Sequence, residues 1–252
     1  MLKGKKGLVI GIGNDQSIAW ACASAMREAG ATLGGTWLND KARPHVEPLL
    51  QSVGAEIMRP LDARDDAQLQ ALFDEVAQRW GRLDFLLHSI AFAPKADLHG
   101  RVTDCSREGF LQAMDISCHS FMRMARLAEP LMPEGGSLMT MSYLGGQEVI
   151  PNYGIMGPVK AALESSVRYM AAELGPKGIR VNAVSPGPIV TRAASGIAQF
   201  DALVQDSARR SPMGRELTIA DVGPLCVFLA ADGSRAITGS TLYVDGGYHT
   251  LN

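Results

Sequence analysis

Apolar and polar positions follow two rhythms along this chain. Short apolar runs, "GLVIGI", "ATLGGTW", "EIMRPL", "LDFLLHS", "GSLMTMS", "IRVNAVS" and "STLYVDG", read as strands. Between them lie amphipathic stretches with helical spacing: "SIAWACASAMREAG", "RPHVEPLLQSVG", "DAQLQALFDEVAQRWG", "REGFLQAMDISCHSFMRMARLAEPLM" and "NYGIMGPVKAALESSVRYMAAELG". Several helical patterns end at a glycine followed closely by an apolar run, as a helix C-cap before a strand does. Strands separated by helices of this length make right-handed βαβ units and a parallel sheet covered on both faces. The pattern therefore predicts an α/β fold: one doubly wound domain over residues 1–252, with a seven-stranded parallel sheet and helices on both faces. No linker, repeat or low-complexity segment argues for a second domain. Two irregular stretches, about 91–105 and 186–216, follow strand ends, where the loops of an open parallel sheet build the binding crevice.

Composition narrows the function classes. A chain of 252 residues supports one large core. Its 27 glycines and few aromatics fit many tight turns rather than bulky anchors. A net charge of −2 leaves no electrostatic footprint for nucleic acid. Cys22, Cys105, Cys118 and Cys226 have no regular spacing, so they read as reduced thiols of a cytoplasmic protein rather than as a disulfide framework or zinc site. The basic start "MLKGKKGLVIGIG" breaks at glycines too early for a signal peptide and reads as the first strand. No run is apolar for long enough to cross a membrane, and no metal site is expected.

Candidate chemistry starts at "GIGNDQSIA". Gly11 and Gly13 follow the first strand and Ser17 opens the next helix, so backbone can approach a pyrophosphate seated at the helix N-terminus. Gln16 stands where a third glycine is usual, and a plain glycine turn is the alternative reading. At the end of the second strand, Leu38, Asn39 and Asp40 supply no cation for a ribose 2′-phosphate, and Lys41 is the one nearby base, which favours NADH over NADPH. Trp37 either flanks the adenine or packs in the core. Asp62, ending the third strand, either accepts from the adenine amino group or caps a helix.

The stretch "YGIMGPVK" holds Tyr153 and Lys160, seven residues apart. A nearby cation lowers a tyrosine's pKa, and a lysine ammonium can also grip a ribose. On one helix, seven residues are two turns on the same face, with roughly 10 Å of rise. That spacing suits a substrate whose charge develops two carbons beyond the atom that takes the hydride, an α,β-unsaturated thioester. Pro158, between the two, predicts a local kink.

With these motifs the chain resembles the enoyl-acyl-carrier-protein reductases of bacterial fatty-acid synthesis, a divergent branch of the short-chain dehydrogenase/reductases with a single Rossmann domain. The resemblance covers nearly the whole chain, through "GIGNDQSIAW", "HSIAFAP", "SYLGGQEVIPNYGIMGPVKAALE", "RVNAVSPGPIVTRAASGI" and "YVDGGY". It implies NADH-dependent reduction of trans-2-enoyl thioesters carried on acyl carrier protein or coenzyme A. It implies that Tyr153 binds the thioester carbonyl, Lys160 the nicotinamide ribose, and that Tyr143 lines the substrate site, with a purely structural tyrosine as the alternative. Gly11, Ser17 and Ile18 would serve the pyrophosphate, Asp62 and Ala63 the adenine, Ile90, Ala91, Ile189 and Thr191 the nicotinamide end. Ala91, Phe92, Met156, Ala193, Ala194, Ile197 and Phe200 would join the two tyrosines around the acyl chain. A helix over 192–210 would form a flap, and helices around 106–131 and 152–174 the faces of a homotetramer.

Three departures stand out. Ala91 replaces the usual glycine, narrowing the space beside the nicotinamide where diphenyl-ether inhibitors stack, or else it is a neutral packing change. "SGIAQFDAL" lacks the basic residues expected for an acidic carrier, which either weakens docking or moves it, for instance to Arg192. Pro158 is the third. Together they suggest a specialised or inhibitor-tolerant isozyme. An ordinary carbonyl or 3-oxoacyl reductase wants Tyr-x3-Lys, and Gly157 and Gln147 stand where its lysine would follow Tyr153 or Tyr143. A non-catalytic dinucleotide sensor would not need an intact Tyr153 and Lys160. His45, His99 and His249 read as surface or loop residues, and His88 as packing beneath the cofactor.

Overall fold

All seven apolar runs form strands, and they join one parallel sheet. The computed structural model of the chain describes residues 1–191, 194 and 199–251. The strands are β1 (Lys6–Ile10), β2 (Thr32–Trp37), β3 (Ile57–Pro60), β4 (Phe85–His88), β5 (Gly136–Met141), β6 (Ile179–Pro186) and β7 (Thr241–Val244). Their order across the sheet is β3-β2-β1-β4-β5-β6-β7. Successive strand residues point to opposite faces, and each face is covered by helices. Leu8, Ile10, Leu86, Leu138 and Val181 pack on one side against α3 (Asp66–Trp80), α6 (Ser120–Ala128) and α7 (Met156–Leu174). Val9, Phe85, Leu87, Met139 and Val184 pack on the other against α1 (Ile18–Glu28), α2 (Arg43–Ser52) and α9 (Gly223–Ala230). Burial on both faces explains why the strands read as continuous apolar runs.

Local signals set the helix ends. Asp65 caps α3 by accepting from Ala67 and Gln68 N–H, an arrangement worth about 1 kcal/mol. Gly81 closes the same helix in the left-handed conformation, at φ 69°, and turns the chain into β4. The strand order reverses between β1 and β4, so the crevice at the carboxyl ends of these strands is the place a ligand binds in such a sheet. Among the described residues no helix is long and apolar enough to cross a membrane.

Two helical expectations change. The single helix expected around 106–131 is α5 (Arg107–Met114), a π-type turn over Asp115–His119, then α6. Side chains in and just after the wide turn have tertiary partners. Ser117 Oγ accepts from Phe92 N–H and donates to Phe92 O, and Ser120 Oγ donates to Ile116 O. The irregular stretches also contain helix: α4 (Lys95–Leu98) in the first and α8 (Phe200–Arg210) in the second. The expected flap helix over 192–210 starts, in the described part, only at Phe200. Arg192, Ala193 and Ile197 lie outside the described residues.

Candidate active site

Lys160 lies in the first turns of α7 and is 3% exposed. Its Nζ donates to Met141 O at the end of β5, at 2.7 Å, leaving two ammonium hydrogens for a ligand. Burial pulls this ammonium down to about 8, while Cys118 and Glu164 act in the opposite direction. Glu164, one turn later on the same buried face, accepts from Ser142 Oγ at 2.5 Å and from Gln147 Nε2 at 2.8 Å. Sequence reasoning missed Glu164, although a carboxylate four residues after the lysine, on the face holding Val159 and Leu163, is a readable signal.

Tyr153 is not on the helix with Lys160. Helix α7 begins at Met156, and Tyr153 stands in the preceding turn, between Asn152 at φ 62° and Gly154 at φ 51°. An added Cβ at Gly154 would come within 2.5 Å of Leu98 O, so the turn is confined to glycine by both conformation and space. The expected two-turn helical rise between the pair therefore does not exist. Nor does the expected kink. Pro158 is the third residue of α7, within the first turn, where an N–H has no intrahelical partner to lose.

The Tyr153 ring lies over the backbone of Gly145, where a Cβ would approach its Cδ1 to 2.4 Å, and meets Tyr143 edge-on at 4.9 Å between centroids. Burial, reinforced by Tyr143 and Glu164, pushes the Tyr153 phenol well above its ordinary range. A cation lowering its pKa, as expected from the sequence, is not what this environment does: burial favours the protonated phenol, which keeps an O–H to donate. Tyr143 is raised as well, chiefly by burial. Its Oη, though buried, meets no hydrogen-bond partner among the described residues, which leaves it for a ligand.

Beneath this site His88, at the end of β4, is fully buried. Its Nε2 lies 2.8 Å from Ser120 Oγ and its Nδ1 2.9 Å from Thr140 Oγ1. Because Ser120 Oγ donates to Ile116 O, His88 Nε2–H is the donor to Ser120 and Nδ1 accepts from Thr140. Burial first, and then the charge of Lys160, pull His88 down to about 3. It is a neutral structural bridge, consistent with packing below a cofactor. Just beyond it, Ile90 is half-buried while Ala91 and Phe92 are exposed at the crevice, with the Phe92 backbone clamped by Ser117.

The loop after β1 fits a dinucleotide. Gly11 adopts φ 93° and touches Ser89 O, so its missing side chain serves loop packing across the switch point. A Cβ at Gly13 would meet nothing within 4 Å, so open space adjoins the start of α1 there. Ser17 caps α1 by accepting from Trp20 N–H, and the N–H groups of Ile18 and Ala19 have no intrahelical acceptor. Trp37 is 3% exposed within the core, so packing is its role.

At the end of β3, Asp62 is held by the Arg64 guanidinium, with Nη2 2.6 Å from Oδ2 and Nε 3.0 Å from Oδ1. Arg64 keeps this carboxyl below the usual range. The neighbouring Ala63 N–H donates to no group among the described residues. An acceptor beside a free donor matches the amino and ring-nitrogen edge of adenine. On the far side, Ile189 is buried after β6, and Thr191 Oγ1 accepts from Ala194 N–H. Met156 is buried in the core cluster that holds Tyr153, and Phe200 is half-buried at the start of α8.

Residues 11–249 match the family described as Enoyl-(Acyl carrier protein) reductase. The chain is 44% identical, over its whole length and 92% of the relative, to the "Enoyl-[acyl-carrier-protein] reductase [NADH] 1" of Rhizobium meliloti. It is 46% identical to the NADH-dependent enoyl-acyl-carrier-protein reductase of Synechocystis, with 99% of this chain and 98% of that one covered. Among solved structures, the Anaplasma phagocytophilum reductase in complex with NAD superposes with a TM-score of 0.96 at 44% identity, covering 100% of this chain and 96% of that one. The Bacillus cereus reductase, bound to NADP+ and an indole naphthyridinone, does so at 0.97 and 41% identity, covering 100% and 98%.

Proposed function

The chain belongs to the enoyl-(acyl carrier protein) reductase family, and from that premise we propose how its own residues divide the work. The protein is an NADH-dependent enoyl-acyl-carrier-protein reductase, which reduces the 2,3 double bond of trans-2-enoyl thioesters. Bound NADH supplies the hydride. Tyr153 donates its phenolic hydrogen bond to the thioester oxygen as negative charge grows there, so its contribution is larger in the transition state than in the ground state. Lys160 gives its two remaining N–H bonds to the nicotinamide ribose, and Met141 O fixes the direction of the third. Tyr143 Oη faces the substrate. Ile189 and Thr191 hold the carboxamide, and the first turn of α1 holds the pyrophosphate. Asp62 and Ala63 read the adenine edge. The observation that carries this reading is the buried Tyr153 locked in a glycine turn ahead of the lysine-bearing helix.

The enoyl chain arrives on acyl carrier protein, and the active form is a homotetramer. Supporting the tetramer, a groove of about 600 Å³ runs between α6 and α7, lined by Met122, Ala125, Ala162 and Met170, and Tyr169 beside it is 72% exposed. The test follows NADH oxidation with crotonyl and longer enoyl thioesters, on carrier protein and on coenzyme A. Turnover is expected with NADH, faster on the carrier. Tyr153→Phe is expected to lower kcat by about 10²–10³-fold while still binding NADH. Bound NADH without turnover of any enoyl thioester would overturn the assignment.

A further inference from the structure

We propose that Arg64 sets the enzyme's grip on the adenine end of NADH, by competing for the carboxylate that receives the adenine amino group; this rests on the reading of Asp62 and Ala63 given above. Three N–H groups of Arg64 crowd the Asp62 carboxylate, two of them from the guanidinium. Oδ1 accepts from the Arg64 backbone N–H and from Arg64 Nε, both at 3.0 Å. Oδ2 accepts from Nη2 at 2.6 Å, with Nε again at 3.2 Å. An amino group arriving at Asp62 must displace part of this fork, replacing a charged donor with a neutral one.

The fork is displaceable. The Arg64 side chain is 54% exposed, and an ion pair that open to water is weak and screened by salt. The backbone that carries the carboxylate does not depend on it. Asp62 N–H donates to Gln68 Oε1 at 2.9 Å, Gln68 Nε2 donates to Asp65 Oδ2 at 2.9 Å, and Ala63 O accepts from Arg123 Nη2 at 2.7 Å. The backbone bond from Arg64 N–H to Oδ1 also survives any change of that side chain. Removing the guanidinium therefore uncovers Asp62 without moving its backbone.

The experiment measures dissociation constants by titration calorimetry for NADH and for its hypoxanthine analogue, whose six-position oxygen has no proton to give a carboxylate. The proteins are the wild type, Arg64→Ala, Arg64→Lys and Asp62→Ala. Arg64→Ala is expected to bind NADH about three- to tenfold more tightly, with no tightening for the analogue, so discrimination between the two widens. Arg64→Lys, with a point charge in place of a fork, falls between. Weaker NADH binding by Arg64→Ala would mean the guanidinium supports the adenine instead, and equal tightening of both cofactors would mean it acts without Asp62; either overturns the proposal. If Asp62→Ala changes both constants by the same factor, Asp62 does not read the amino group, and the adenine reading fails along with it.

Discussion

The two ends of the crevice are built on opposite principles. At the proposed catalytic end, Tyr153, Lys160 and Glu164 are buried and Tyr143 is half-buried; Met141 O fixes Lys160, and Ser142 and the more exposed Gln147 fix Glu164. At the adenine end, Asp62 is held by a half-exposed arginine two residues away. A buried polar group is costly to leave unpaired, so its geometry is over-determined, whereas an exposed fork can be exchanged for a ligand at little cost. The reaction needs the first arrangement, because an oxyanion donor must already be in place as charge develops. Binding the far end of a cofactor tolerates the second.

The sharpest way to break this contrast is to disturb the catalytic end by one methyl group. In Gly145→Ala the new Cβ would lie 2.4 and 2.7 Å from Tyr153 Cδ1 and Cε1, so the ring must move. A displacement on the order of 1 Å at a positioned catalytic group is expected to lower kcat by about 10²-fold. Steady-state kinetics should show kcat falling far more than the NADH dissociation constant changes. A variant with unchanged kcat would mean the tyrosine's position is not so tightly held.

How much of this was readable beforehand divides along the same line. The seven strands and the crevice between β1 and β4 were legible, because burial on both faces leaves long apolar runs and helix-capping glycines punctuate them. The place of Asp62 after a strand makes it a candidate adenine acceptor, whereas its pairing with Arg64, two residues on, shows only in the structure. The tyrosine's turn was misread as helix although "PNYG" carries turn residues, because the apolar pattern continues smoothly through it. The π-type turn at Asp115–His119 leaves no trace in periodicity, since its cause is tertiary: Ser117 clamps Phe92, and Ser120 bridges to His88. Buried polar networks are specified by partners distant in sequence, which local pattern cannot display.

Acid should also expose the difference. His88 is held near 3, below its ordinary value of about 6.5, so the unfolded chain binds this proton more readily than the folded one. The neutral bridge between Ser120 and Thr140 is fully present above about pH 6.5, and its stability is lost as pH falls toward 3. At pH 5 the loss is about 2 kcal/mol. Urea unfolding of wild type and His88→Gln across this range should show the wild type losing its advantage as pH falls. Parallel pH dependences in the two proteins would contradict the bridge. The Asp62–Arg64 pair keeps its charges over most of the same range, because its carboxyl is lowered.

Alkali gives the smallest effect and the cleanest separation of the two ends. Lys160 is pulled down to about 8 by burial, so in the free enzyme its charge fades just above neutrality. The phosphate-bearing cofactor favours the charged form, and the ribose takes its hydrogen bonds. The NADH dissociation constant should therefore be flat below about pH 8 and rise by up to about tenfold per pH unit above it. Asp62 and Arg64 do not titrate in that window, since one is lowered and the other raised. The same rise should then appear in Arg64→Ala, because that change alters only the adenine end. A slope that changed in this variant would mean that the two ends are coupled, and that the exposed fork reaches the buried lysine through the cofactor they share.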